Sequence, residues 1–221
     1  MCDSHAALVT GATGRVGGVI ARRLETDGFR VLRAGRRDGD LSDAEATRAL
    51  VARAAEELGG LDLVVHAAGE GFVAQPVEAV TEEDWDAAFG ATAKGSFFLA
   101  QAAAPHLRAA NGVIVNIADL AAFETWPAYV PHGISKSGVV HLTQSLARVL
   151  APEVRVGGIA PGTVLLPDKW SDEDAERLRA TTPLRRMGTP EDVSSTVLFI
   201  LDSDFLTGET IIVDGGRHVR T

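Results

Sequence analysis

The chain has 221 residues, 46% of them hydrophobic, with 23 glycines, enough for one domain with a sizeable core. A formal charge of −9 and the absence of any lysine- and arginine-rich run argue against nucleic acid or an anionic membrane as a partner. Cys2 is the only cysteine, no apolar run reaches the roughly 18 residues of a membrane span, and nothing resembles a signal peptide, so a cytoplasmic protein without disulfides or a cysteine metal site is expected.

Short runs rich in valine and isoleucine at Ala6–Thr10, Arg30–Ala34, Leu61–His66, Gly112–Ile117, Val154–Ile159 and Thr210–Val213 read as strands buried on both faces. Between them, Val16–Thr26, Asp43–Leu58, Glu82–Ala110, Ile134–Leu150 and Glu191–Leu201 carry helical patterns. Strands alternating with helices predict the α/β class: one doubly wound, Rossmann-like parallel sheet filling residues 1–221 as a single domain. Only four residues separate Gly35 from Asp40. A crossover helix plus a strand needs a dozen or more. The helix after the second strand, and with it the third strand, is therefore expected to be shortened or missing.

Thr10-Gly-Ala-Thr-Gly-Arg-Val-Gly17 follows the first strand and opens a helix. Its glycines let the backbone turn tightly beside a pyrophosphate, and the helix N-terminus favours the anion. A plain tight turn is the alternative reading, and its placement at the first strand–helix junction favours a dinucleotide. The second strand runs into Arg36-Arg37, with no Asp or Glu at its tip. In this fold an acid there selects NAD and an arginine accommodates the 2′-phosphate of NADP, so NADPH is the expected cofactor.

These motifs resemble the short-chain dehydrogenase/reductase superfamily, and the resemblance runs over nearly the whole chain. Thr10-Gly11-x-x-x-Arg15-x-Gly17 is similar to its fingerprint, with arginine in place of the middle glycine. His66-Ala-Ala-Gly69 is similar to the turn after its fourth strand, and Val113-Ile-Val-Asn-Ile-Ala-Asp119 to its fifth strand, with aspartate at the usual serine. Arg15, Asp119, Pro152–Gly162 and the ending Thr207–Arg220 look closest to the pteridine reductase and dihydromonapterin reductase-like branch. The resemblance implies a cofactor half over about residues 1–118, followed by the active-site helix, a substrate lid and the last strand. It puts Gly11, Thr13, Arg15, Val16 and Gly17 at the cofactor, with Asp40 and Leu41 flanking adenine. Ala67, Ala68 and Gly69 would line the ribose, and Pro161, Gly162, Thr163 and Val164 would touch the nicotinamide. Lys136 would hold the nicotinamide ribose.

The reacting end departs from the family. A tyrosine four residues before the lysine is its proton donor, one helical turn away, and here His132 stands in that slot. Thr92 stands where an asparagine supports a water, so Lys136 alone keeps the usual residue, with Asp119 the branch variant. Pro131 suits the first turn of the helix, leaving Tyr129 in the loop before it as a second candidate donor. Three readings of His132 stay open: a donor opposed by Lys136, a donor supported and oriented by Asp119, or a filler in a site that reduces nothing. Phe72, Trp126 and Trp170 are the expected substrate-pocket walls; His66, beside the cofactor turn, reads as a structural histidine, and His5, His106, His141 and His218 show no metal-ligand spacing.

The leading expectation is an NADPH-dependent reductase of a pterin-like or other planar carbonyl or imine compound, a small-molecule enzyme. A cofactor-free cyclase, dehydratase or isomerase on the same scaffold, or a silent binding protein, remain as alternatives. The apolar stretches Ala91–Ala104 and Gly138–Leu150 further predict a homotetramer or homodimer.

Overall fold

A computed structural model of the chain describes residues 5–69, 74–166 and 171–219. Six parallel strands, β1 Ala6–Thr10, β2 Arg30–Ala34, β3 Leu63–His66, β4 Val113–Ile117, β5 Arg155–Pro161 and β6 Thr210–Val213, form one sheet in the order β2-β1-β3-β4-β5-β6. Helices α1 Arg15–Thr26 and α7 Pro190–Asp202 cover one face. The other carries α2 Ala44–Leu58, α4 Gly95–Ala110 and α5 Val130–Leu150.

Alternation along the strands explains the two faces. Leu8, Val64, Ile114 and Val156 point to the α2/α4/α5 side, where they meet Leu50, Leu99, Leu107 and Leu146. Their neighbours Val9, Val65, Val115 and Ile159 point to the other side and meet Ile20, Leu24, Val193 and Ile200. Both faces are therefore dry, which is why the inner strands read as unbroken apolar runs. The edge strand β2 departs from this, alternating exposed Arg30 and Arg33 with buried Leu32 and Ala34.

The strand order turns back between β1 and β3, and in such sheets the crevice outside the carboxyl ends at that point holds the ligand. The connection from β2 to α2 is short, as the sequence spacing predicts. It contains a three-residue 3-10 turn, Arg36–Asp38, and no strand before α2 starts at Ala44. Asp43 caps α2, accepting from Glu45 and Ala46 N–H groups at 2.7 and 2.8 Å.

The predicted single helix over Glu82–Ala110 is corrected by the structure. It divides into α3 Glu82–Phe89, a π-helical turn Gly90–Lys94, and α4. Two glycines bracket the turn because the backbone presses on the loop below it. A Cβ at Gly90 would lie 2.9 Å from the Ser42 Cβ, and one at Gly95 would lie 3.0 Å from the Leu41 carbonyl. Helix α5 begins at Val130 with Pro131 in its first turn, and Tyr129 is its N-cap residue. One further helix, α6 Asp172–Thr181, starts on a capping box between Ser171 and Asp174.

Leu8 is fully buried in the middle of the sheet. Leu8→Ala should destabilise the fold by about 3 kcal/mol through lost transfer energy and the cavity left behind, measurable as a lowered urea midpoint at unchanged slope.

Candidate active site

The Gly-rich turn is built by close backbone approach. Gly11 has φ +67°, and a Cβ there would lie 2.5 Å from the Ala67 carbonyl oxygen. A Cβ at Gly17 would lie 2.4 Å from the Gly11 oxygen, so α1 can seat on the turn only with glycine at that position. Gly14 is the N-cap of α1 and provides no side-chain cap, leaving the helix end to an outside acceptor. Above it opens a cleft of about 770 Å³ lined by Gly11, Thr13, Gly35, Arg36, Asp40, Leu41, Ala67, Ala68 and Gly69, among others. Glycines that any Cβ would obstruct, a helix N-terminus and an arginine at the far end fit a dinucleotide phosphate.

Several sequence expectations shift at this end. Arg36 lines the cleft, whereas Arg37 does not. Arg15 is exposed at the start of α1, Val16 packs into the core under that helix, and Gly17 acts by packing, so none of the three lines the cleft. An acid does reach the tip of β2. Asp38 Oδ2 accepts the Gly35 N–H at 2.9 Å and Oδ1 accepts from Arg53 at 3.1 Å. The Gly35 hydrogen bond, then Arg53, holds this carboxyl below its ordinary range. It is committed to closing the turn and does not line the cleft. Asp40 is held low by the Ser42 backbone and hydroxyl groups, with Arg36 and Lys94 adding to the effect.

At the floor of the crevice lies His66, 1% exposed. Its Nε2 is 3.0 Å from the Ala91 carbonyl, which can only accept, so Nε2 carries the proton and Nδ1 accepts from the Thr10 hydroxyl at 2.9 Å. Burial, and next the charge of Lys136, push this imidazole down to about 4. By taking the Ala91 carbonyl, His66 also fixes the π-helical turn. That turn carries Thr92, which is buried with its Oγ1 3.3 Å from where a Gly69 Cβ would lie.

Lys136 approaches the same point, its Nζ 3.8 Å from that Gly69 position. It is buried and donates to the Ile117 carbonyl at 3.0 Å. Burial lowers its pKa, and the Asp119 carboxylate opposes the shift. One turn back on α5, His132 Nε2 stands 3.8 Å from Asp119 Oδ2, close enough for an ion pair but longer than a hydrogen bond. The second Asp119 oxygen accepts the Ala121 N–H at 2.7 Å, which fixes the carboxylate.

A second cavity, about 1080 Å³, adjoins this pair. Asp119, Trp126, Tyr129, Gly162, Thr163 and Val164 line it with Thr125, Pro127, Ala128, Leu165 and Arg217. The Trp126 and Tyr129 rings meet edge to face at 6.1 Å. Asp119 thus reaches the cavity while His132 sits behind it, 8% exposed. Pro161 ends β5 and is buried beside the cavity lining. Phe72 and Trp170 lie outside the described residues. Among the described residues no group of three or more His, Cys, Asp or Glu is placed to hold a metal, and no helix is long and apolar enough to cross a membrane.

Comparison with known proteins places the chain in a family. The family model described as Enoyl-(Acyl carrier protein) reductase matches residues 11–218. The 4-formylbenzenesulfonate dehydrogenase of Comamonas testosteroni is 34% identical over 249 aligned residues, covering 98% of this chain and 99% of that one. The chain belongs to the short-chain dehydrogenase/reductase superfamily. Human dehydrogenase/reductase SDR family member 4 is 32% identical over 97% of this chain and 87% of its own. An apo SCOR enzyme of Clostridium thermocellum superposes with a TM-score of 0.87 at 30% identity, over 98% of this chain and 94% of that one.

This short-chain dehydrogenase/reductase is an oxidoreductase by its relatives, with its own residues at the reacting end. Two contributors to the site escaped the sequence. Arg217 lies beyond the last strand, where no periodic pattern signals it. His66 was read as structural, and its link to the Thr92 turn depends on a carbonyl 25 residues away. The linkage gives a testable sign. A folded-state pKa depressed from 6.5 to about 4 leaves full stability above pH 6.5, lost as pH falls toward 4 while the unfolded chain takes up the proton. Wild-type protein should therefore lose on the order of 2–3 kcal/mol over that window that His66→Gln does not lose, as read from urea unfolding at pH 7 and pH 4.5.

Proposed function

We propose that the protein is an NADPH-dependent reductase of a planar carbonyl or imine compound, with Asp119 and His132 delivering the proton in place of tyrosine. The observation that carries this reading is the position of Asp119. It lines an aromatic-walled cavity while standing 3.8 Å from a buried imidazole. Arg36 on the cleft wall supports NADPH over NADH, because a guanidinium takes a phosphate in bidentate fashion. Aspartate at position 119 and arginine at position 15 keep the pterin-like class in view. The Comamonas relative, a 4-formylbenzenesulfonate dehydrogenase, brings aromatic aldehydes into the same class.

Bound reduced nicotinamide supplies the hydride. As it reaches the carbonyl carbon, the C=O π bond opens onto oxygen, which takes one proton and leaves as the alcohol. The Asp119–His132 pair carries that proton, and its Oδ2 and Nε2, 3.8 Å apart, must close to hydrogen-bond distance to pass it. It leaves through Asp119, the member that touches the cavity, and His132 restores it. Lys136, buried between Ile117 and Gly69, sets the ribose end of the cofactor and keeps a positive field near the developing alkoxide. Trp126 and Tyr129 provide a flat wall for a planar substrate.

Exposed apolar side chains on α4 and α5 (Phe97, Ile134 and Val149) support assembly through these two helices as a homodimer or homotetramer. Light scattering should give two or four chain masses.

Fluorescence titration tests the cofactor: NADPH should bind at micromolar concentration and NADH more weakly, and Arg36→Ala should cut the preference by about tenfold, the equivalent of 1.4 kcal/mol. His132→Ala should lower kcat by about a hundredfold with little change in KM. A variant at full kcat would remove the pair from the mechanism. Substrate conversion that proceeds without added NADPH would instead favour cofactor-free acid–base chemistry.

A further inference from the structure

The cavity beside Asp119 contains a charge that reduction does not use. Arg217 lines it, half-buried, in a chain whose net charge is −9. Its Nη1 reaches the Thr163 hydroxyl at 3.3 Å, and among the described residues it forms no ion pair. A guanidinium has five N–H donors, and one long bond to a neutral hydroxyl leaves most of them available to a ligand.

The neighbouring acids are committed elsewhere. Asp214 Oδ1 accepts the Gly216 N–H at 2.8 Å, and its Oδ2 accepts from the His218 N–H at 2.7 Å and contacts His218 Nδ1 at 2.8 Å. Asp192 takes both Arg186 nitrogens, at 2.8 and 2.9 Å. Asp119 faces the same cavity, yet its oxygens serve Ala121 and His132.

The segment that presents Arg217 is built for that placement. Gly215 and Gly216 have φ +69° and +87°, turning the chain sharply after β6. A Cβ at Gly215 would lie 2.8 Å from Thr182 Cγ2, and one at Gly162 would lie 2.7 Å from Asp214 Cβ, so the turn is packed on both sides. β4 and β6 flank β5, which sets the carboxyl ends that lead to Asp119 and Arg217 about 10 Å apart, two strand spacings. A planar ring can lie between them against Trp126 and Tyr129.

We propose that Arg217 is the specificity residue for an anionic group on the substrate, so that the protein acts on planar carbonyl compounds carrying a carboxylate or sulfonate away from the reacting carbonyl. This rests on the reductase reading of the same cavity. The probes are 4-carboxybenzaldehyde and its neutral ester, methyl 4-formylbenzoate, which share ring and formyl group. With NADPH, wild-type enzyme should favour the acid by tenfold or more in kcat/KM. Arg217→Ala should lower kcat/KM for the acid by about 10- to 100-fold, mainly through KM and far more than for the ester, as for a lost charge-assisted hydrogen bond. Arg217→Lys should recover part of the loss, and Arg217→Gln should not.

Equal losses on the two aldehydes, no preference for the acid, or a weakened NADPH Kd in the variants would each overturn the assignment, the last by placing Arg217 on the cofactor. If neither aldehyde is reduced, calorimetry with 4-(hydroxymethyl)benzoate separates the two ideas. Binding to wild-type protein that weakens at least tenfold in Arg217→Ala supports the anion site even where the reductase reading fails. Absent binding, or binding unchanged by the substitution, sinks it.

Discussion

The close approach of three backbone segments at Gly11 determines where everything else in this site can be. The turn after β1 lies so near Ala67 and Gly17 that a side chain at Gly11 or Gly17 would sit within 2.5 Å of a carbonyl oxygen. Contact at that distance is repulsive for any atom, so these positions hold glycine for spatial reasons before conformational ones. The consequence is a helix end brought level with the carboxyl ends of β1 and β3 with its N-cap unfilled. Anion binding follows from that placement: the donors are already aimed, and no side chain has to be ordered to use them.

Charge is distributed sparsely around this centre, and burial decides which groups keep it. His66 lies deeper and has two neutral partners, so it stays uncharged and serves as a brace between the phosphate turn and the π-helical turn. Lys136 is buried too, but the Asp119 carboxylate offsets part of the desolvation. Asp119 is therefore shared between two bases, Lys136 through the field and His132 through a 3.8 Å contact. In the proposed mechanism the aspartate at 119 is the acid that pairs with the histidine at 132, a role a serine could not take.

Much of the architecture was legible because the sheet is buried on both faces. Ala6–Thr10, Arg30–Ala34 and Thr210–Val213 can be read directly as strands, since the apolar run ends where the sheet ends. The short β2–α2 connection was legible as arithmetic, four residues being too few for a helix and a strand. What escaped depends on contacts between distant segments. Nothing within Glu82–Ala110 announces a π-helical turn at Gly90–Lys94. The break is imposed by Ser42 and Leu41 beneath it and by His66 drawing on its carbonyl. Asp38, directly after the two arginines, is brought to the strand tip by a 3-10 turn that folds it back onto Gly35. The Thr92, Asp119, His132 and Lys136 positions were found by motif spacing. Which of them faces the cavity depended on side-chain geometry, and it placed Asp119 in front of His132.

The short connection after β2 bears on cofactor choice. With no strand beyond it, β2 is the sheet edge, and its exposed arginines discourage another strand from pairing there; Arg33 is bound to Glu25 of α1. The adenosine end of the cleft is correspondingly formed by a few residues: Gly35 under the Thr13 side chain, Arg36, and the Gly39–Leu41 loop against Leu50. A thin apolar floor gives little area for an adenine ring, and buried area alone contributes about 25 cal/mol per Å². Binding energy at that end must then come from charge. In the proposed reading a 2′-phosphate meeting Arg36 supplies it; of the two acids nearby, Asp38 is committed to Gly35 and Arg53, and Asp40 on the cleft wall has its Oδ1 taken by Ser42. The short connection beside β2 and the arginine at its tip are thus the two features on which the proposed preference for NADPH rests.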